Sequence, residues 1–466
     1  MTERFFAPQA WLDGAWAQDV LLSVGPDGCW SGLQPGASAA QAQGALRLAG
    51  PVLPALVNAH SHAFQRAIAG LTERAGAAGS SDDFWSWRDR MYSVARRITP
   101  DQLEHIAAWL YAELLAGGYT QVCEFHYLHQ PADAAGGDPL AMSMALVRAA
   151  DRVGMGLTLL PTLYMRSGFG ATGLREDQRR FASSPDTLVR LVREVQAACR
   201  GLPGVNLGLA IHSLRAAGLP AMTELAAWAG PQRLPVHIHI AEQTQEVQDC
   251  LAHTGQRPIE WLLQNLPVNA QWNLVHATHA SPSELRAVAQ RGAAIVICPS
   301  TEANLGDGVF DYPAFAAAGG NWSIGSDSHV TRSWPHELCL LEYSQRLALR
   351  RRNVAARPGG SSAAALMEGA LAGGQAASGL ALGPIALGKR ADFLVLDAQS
   401  PALLGVPGAQ TLDALVFSSP QVPPIQVYQG GQLRIDGSQL CRPGAKPGLR
   451  EQLAQDFART MGELWA

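Results

Sequence analysis

Residues 56–66 read LVNAHSHAFQR: a short apolar run, two histidines one residue apart, then Gln65 and Arg66. An apolar run of that length fits a strand buried on both faces, as in a parallel sheet covered by helices. A lone H-x-H is equally at home in a wet loop, so its meaning depends on whether the chain repeats the pattern. It does. After ALVNAH (55–60) come YTQVCEFH (119–126), GLTLLPT (156–162), NLGLAIH (206–212), PVHIHI (235–240), WNLVHA (272–277), AAIVICPS (293–300) and NWSIGSD (321–327). Between them lie segments of helical period such as PDQLEHIAAWLYAELLAGG (100–118). Eight strand–helix units predict an α/β fold, a closed (β/α)8 TIM barrel over residues 55–380.

Outside the barrel the texture changes. Residues 1–54 and 381–440 give short strand-like pieces broken by Gly and Pro, including ADFLVLD (391–397) and IQVYQGGQLRI (425–435). Neither part is long enough to bury a core alone, so the two are expected to pair as one small β-sandwich domain built from both chain ends. Residues 441–466, closing on LREQLAQDFARTMGELWA, are periodic enough for a terminal helix.

Composition narrows the function. A formal charge of −4 gives no basic surface for nucleic acid or an anionic membrane, and a small-molecule partner is expected. The seven cysteines are scattered without C-x-x-C spacing, which argues against a disulfide framework or a thiolate zinc site and suits a cytoplasmic protein. The start of the chain carries acidic residues and no apolar core of signal-peptide length.

The polar residues share one position. His60, His212, His239, His276 and Asp327 each stand at or just past the carboxyl end of a proposed strand. In a parallel barrel all those ends open on one mouth, where chemistry is built. Neutral imidazoles and one carboxylate, without thiolates, suit Zn²⁺ or another borderline divalent cation. Residues two apart on a strand point the same way, so His60 and His62 can reach one ion, and His239 and Asp327 complete the set. Such an ion acidifies water enough to supply a nucleophile near neutral pH, which points to a hydrolase.

NAHSH after the first strand, HIHIAE at the fifth, LVHATH at the sixth and IGSDSH at the eighth resemble the amidohydrolase superfamily. LGKRADFLVLD (387–397) also looks like the segment with which these enzymes return to their small β domain, so the resemblance covers nearly the whole chain. It implies metal ligation by His60, His62, His239 and Asp327, with Glu242, His276 and Asp327 handling protons and charge. The second, third and fourth strands offer no lysine for carbamylation, and the chain's only lysines are Lys389 and Lys446. One divalent ion per subunit follows, Zn²⁺ first, as in the deaminase-like branch, of which Glu242 three residues after His239 is a feature. A homodimer is the superfamily's implication.

NAHSHAFQRAIAG, DDFWSWRDRMY, CEFHYLHQ, AIHSLRA and CPSTEANLGDG together resemble the branch that hydrolyses a formimino group. The reaction so implied is N-formimino-L-glutamate to N-formyl-L-glutamate and ammonia, in histidine breakdown. Chemistry argues the same way. That substrate carries two carboxylates, the guanidinium fork is their preferred partner, and Arg88 and Arg215 are placed to clamp them. Gln65, Tyr127 and His212 complete the pocket by resemblance. The competing readings are a related deaminase or cyclic-amide hydrolase acting on a guanine- or imidazolone-type ring, and a non-catalytic scaffold barrel, which predicts eroded ligands. His126, His129, His237, His279, His329 and His336 are read as core, cap or surface residues, and Cys123 and Cys298 as buried hydrophobes.

Overall fold

The computed structural model describes residues 2–75, 83–132, 138–202, 204–418, 422–444 and 447–466. Its centre is a parallel barrel whose strands are Leu56–Ser61, Tyr119–His126, Gly156–Leu163, Leu209–Ser213, Val236–Ile240, Trp272–His276, Ala294–Ile297 and Asn321–Ile324. They follow one another in chain order, each pair parallel. The ring closes at its mouth through a parallel bridge between Ser61 and Asp327, with His62 N–H donating to the Asp327 carbonyl and Asp327 N–H to that of His60. The closure therefore brings the first and eighth strand ends together through the residues expected to ligate the metal.

The expected fourth strand differs: it is two pieces, Val205–Leu207 and Leu209–Ser213, broken at Gly208. A Cβ there would stand 2.7 Å from the Pro235 carbonyl oxygen and 2.6 Å from Leu160, so a close backbone approach interrupts the ladder. Between strands, helices start where capping chemistry places them. Pro100–Ala116 begins at Thr99, which forms a capping box with Gln102 ahead of a proline in the first turn. Ser362–Ser378 packs its glycines on the barrel, and a Cβ at Gly373 would fall 1.9 Å from the Trp322 carbonyl oxygen.

The chain ends form a nine-stranded sheet that combines Glu3–Leu12, Ala15–Val24 and Trp30–Gln34 with Phe393–Val395, Gln426–Gln429 and Gln432–Asp436. Val52–Pro54 sits between the two sets, parallel to the first strand and antiparallel to Phe393–Val395. This small β-sandwich has its own core around Phe5, Trp30, Phe393 and Tyr428, with the last two rings stacked at 4.3 Å. Asp392 ties it to the barrel by accepting from Thr120 Oγ1 at 2.7 Å. Among the described residues no helix is long and apolar enough to cross a membrane, and all seven cysteines are free.

Candidate metal centre and active site

At the barrel mouth the three imidazoles and the carboxylate converge. His60 Nε2 lies 3.1 Å from His62 Nε2, 3.0 Å from His239 Nε2 and 3.2 Å from Asp327 Oδ1, which is 3.3 Å from His62 Nε2. All four residues are buried. Backbone carbonyls fix the tautomers: His62 Nδ1 donates to Phe125 O and His239 Nδ1 to His212 O, each at 2.9 Å. Their Nε2 atoms are therefore bare lone pairs, turned toward one another and toward an anion. Lone pairs crowd like this only around a cation. The edge of a tetrahedron with bonds of about 2.0–2.1 Å is roughly 3.3–3.4 Å, so the observed spacings fit a Zn²⁺-sized ion.

Burial sets the charges. It pushes His60 down to about 3, and lowers His62 and His239, which keeps the imidazoles neutral for ligation. Burial alone would raise Asp327, but its contacts with the imidazoles of His60, His62 and His276 hold its carboxyl well below the usual range. The backbone carries strain here. His276 (φ 69), Asp327 (φ 46), His329 (φ 66) and Ala241 (φ 52) all adopt the left-handed region without being glycine. The neighbouring Gly325 is obligatory, because a Cβ would lie 2.6 Å from that of His60.

Beside the cradle stand two buried titratable groups, His276 and Glu242. His276 Nε2 is 3.7 Å from Glu242 Oε1 and 3.8 Å from Asp327 Oδ2. Burial alone would lower His276; the carboxylates of Glu242, Glu302 and Asp327 outweigh it and hold the ring protonated. Burial, with Asp327 and Glu246 adding to it, pushes Glu242 above the usual carboxyl range despite the opposing charge of His276.

The substrate-side expectations land in the same place. Every expected site residue except His60, which is wholly buried behind the others, lines one cavity. Gln65 Nε2 donates to the Tyr127 hydroxyl at 3.3 Å, and burial keeps that phenol neutral. His212, kept neutral by burial and by Arg215, packs on Tyr164 at 4.4 Å. Arg88, on the helix Phe84–Ala95, and Arg215, just past the fourth strand, both have buried Nε atoms without a protein partner. Asp89 Oδ1, itself on a largely exposed side chain, is 3.6 Å from Arg88, and no carboxylate among the described residues pairs with Arg215.

Two carboxylates of the site carry no role in the sequence reading. Glu302 Oε1 accepts from His276 Nδ1 at 3.2 Å and from Cys298 N–H at 2.8 Å. Glu246 Oε2 accepts from Glu242 N–H at 3.1 Å. Each sits four residues past the residue whose N–H it accepts, just beyond a strand, and that spacing is the only signal the sequence offers. His329 stands behind the cradle, bonded through Nδ1 to Ser326 Oγ, while His129 and His237 bind backbone carbonyls.

A protein-family model described as the amidohydrolase family matches residues 52–434. The chain is 44% identical over 461 residues to a formimidoylglutamate deiminase of Pseudomonas aeruginosa, covering 98% of this chain and 99% of that one. It is 28% identical to an 8-oxoguanine deaminase of the same organism over 64% of each chain. The crystal structure of an amidohydrolase from Brucella melitensis superposes over 100% of both chains with a TM-score of 0.92 at 40% identity. From its buried histidine–aspartate cradle and these matches alike, the chain belongs to the amidohydrolase family.

Proposed function

We propose that this protein hydrolyses N-formimino-L-glutamate to N-formyl-L-glutamate and ammonia, using one divalent cation, Zn²⁺, held by His60, His62, His239 and Asp327. The observation that carries the substrate is the pair of guanidiniums, Arg88 and Arg215, facing the same cavity as the cradle without carboxylate hydrogen bonds of their own. Two cations beside a reaction centre call for a dianion; a neutral heterocycle would leave Arg215 without an ion pair and Arg88 with only the exposed Asp89 at 3.6 Å. The likeness to a formimidoylglutamate deiminase supports the same reading.

When bound, the cation supplies Lewis acidity, which makes water a nucleophile near neutral pH. The chain's own residues do the rest. Arg88 and Arg215 clamp the two carboxylates, and Gln65, Tyr127 and His212 give neutral hydrogen bonds that orient the chain between them and the formimino carbon. Asp327 accepts the proton of the attacking water at Oδ2. Cationic His276 donates from Nε2 to the oxygen as charge develops there, its Nδ1–H being anchored on Glu302. Glu242, whose raised carboxyl lies closer to neutrality, takes and returns a proton at Oε1, so that nitrogen leaves as ammonia rather than amide ion. The new C–O bond and the broken C–N bond give the formamide.

The test is ammonia release by metal-replete protein from N-formimino-L-glutamate, formiminoglycine and guanine. The first should exceed the second by roughly 10- to 100-fold in kcat/KM, one charged hydrogen bond being worth about 1.5–3 kcal/mol. Turnover of guanine alone would overturn the assignment.

A further inference from the structure

Arg88 and Arg215 come from different elements, yet one ring meets both. Arg88 Cζ lies 4.6 Å from the centroid of Trp85 and Arg215 Cζ 5.6 Å from it. Arg88 Cζ also lies 5.5 Å from the centroid of Tyr92, but among the described residues Trp85 is the one ring with a cation–π contact to both guanidiniums. Arg88 follows Trp85 by three residues on the helix Phe84–Ala95, and helical side chains lean toward the N-terminus, which lays the guanidinium over the indole. Trp85 is itself braced edge-on by Phe84 at 5.0 Å.

Two like charges beside one cavity repel, and the usual remedy is a carboxylate between them. A carboxylate would also neutralise both forks and compete with any anionic ligand. An indole face is a different counter-surface: its quadrupole attracts cations without carrying charge, and it leaves the planar N–H edges free. We infer that Trp85 is a positioning residue for dicarboxylate recognition, holding Arg88 and Arg215 at the spacing at which one ligand with two carboxylates engages both. Trp85 does not line the cavity, so it acts through the arginines rather than by touching the ligand. The inference rests on the proposed dicarboxylate substrate.

The experiment is calorimetric titration of the metal-loaded protein with N-formyl-L-glutamate and with N-formylglycine, which lacks the second carboxylate. Wild type should prefer the former. Trp85→Leu should weaken N-formyl-L-glutamate at least 10-fold while changing N-formylglycine less than threefold, and Trp85→Phe, which keeps a ring, should recover most of the loss. Trp85→Gln repeats the ring removal should the leucine variant fold poorly. A preference that survives both ring-removing variants, or equal weakening of both ligands, overturns the role of Trp85 alone. A wild type with no preference overturns the dicarboxylate reading and this inference with it.

Discussion

Replacing Glu302 with alanine separates a positioning role from a packing role. One oxygen of this buried carboxylate accepts both the Cys298 N–H and the His276 Nδ1–H, so its loss strands two buried donors. At about 1–3 kcal/mol each, the stability cost is roughly 2–6 kcal/mol, a large share of a typical total of about 5–15 kcal/mol. The catalytic cost is separate. Without Glu302 the ring of His276 is free to rotate and to change tautomer, and loss of a carboxylate that holds a catalytic imidazole costs up to about 10⁴ in kcat elsewhere. For Glu302→Ala we expect a fall in kcat of about 10²–10⁴ with KM within about threefold, measured as ammonia release at saturating N-formimino-L-glutamate. Glu302→Gln keeps an acceptor oxygen and should retain more activity and nearly all the stability. Because Glu302 acts through His276, adding Glu302→Ala to His276→Ala should lower kcat by less than about threefold further. Full additivity of the two losses would refute the positioning argument.

Three further outcomes follow from the geometry. His239→Ala removes one corner of the cradle and should lower bound metal per chain at least 10-fold by elemental analysis, without loss of the folded circular-dichroism spectrum. Arg215→Met should raise KM for N-formimino-L-glutamate by roughly 10- to 100-fold, about 1.5–3 kcal/mol for a charged hydrogen-bonding partner, with kcat changed little; Arg215→Lys should not restore it, because the fork is lost. Burial pushes Glu337 up to about 8 from 4.5, against the hydrogen bonds from Ser300 N–H and Oγ–H. A raised carboxyl contributes stability below its unfolded value and loses it as pH rises through the folded one. Unfolding free energies from denaturant titrations should therefore fall from pH 4.5 to 8 with a slope of up to about 1.4 kcal/mol per pH unit from this group, and Glu337→Gln should flatten that fall.

The barrel was legible because its strands are buried on both faces and read as unbroken apolar runs, and because their polar residues gather at one end. That position alone, without knowledge of any contact, drew His60, His62, His239, His276 and Asp327 together. Gly208 is the exception among the strands: its break depends on Leu160 and the Pro235 carbonyl, which no local pattern reveals. The sheet formed by both chain ends was readable as a pairing. Its order was not, since strands as short as Leu46–Arg47 carry no periodicity. Glu302 lies within CPSTEANLGDG, but its purpose exists only once the helix Pro299–Leu305 turns it back onto His276. Trp85 likewise reads as one aromatic among several until Arg215 arrives from the far side of the mouth.

The most direct measurement is X-ray diffraction from Zn²⁺-loaded crystals with an anomalous map collected at the zinc edge. A single peak about 2.0–2.2 Å from His60 Nε2, His62 Nε2, His239 Nε2 and an oxygen of Asp327 is the predicted result. A cradle without a peak, or zinc held instead by His276, Cys298 and Glu302, would contradict the account.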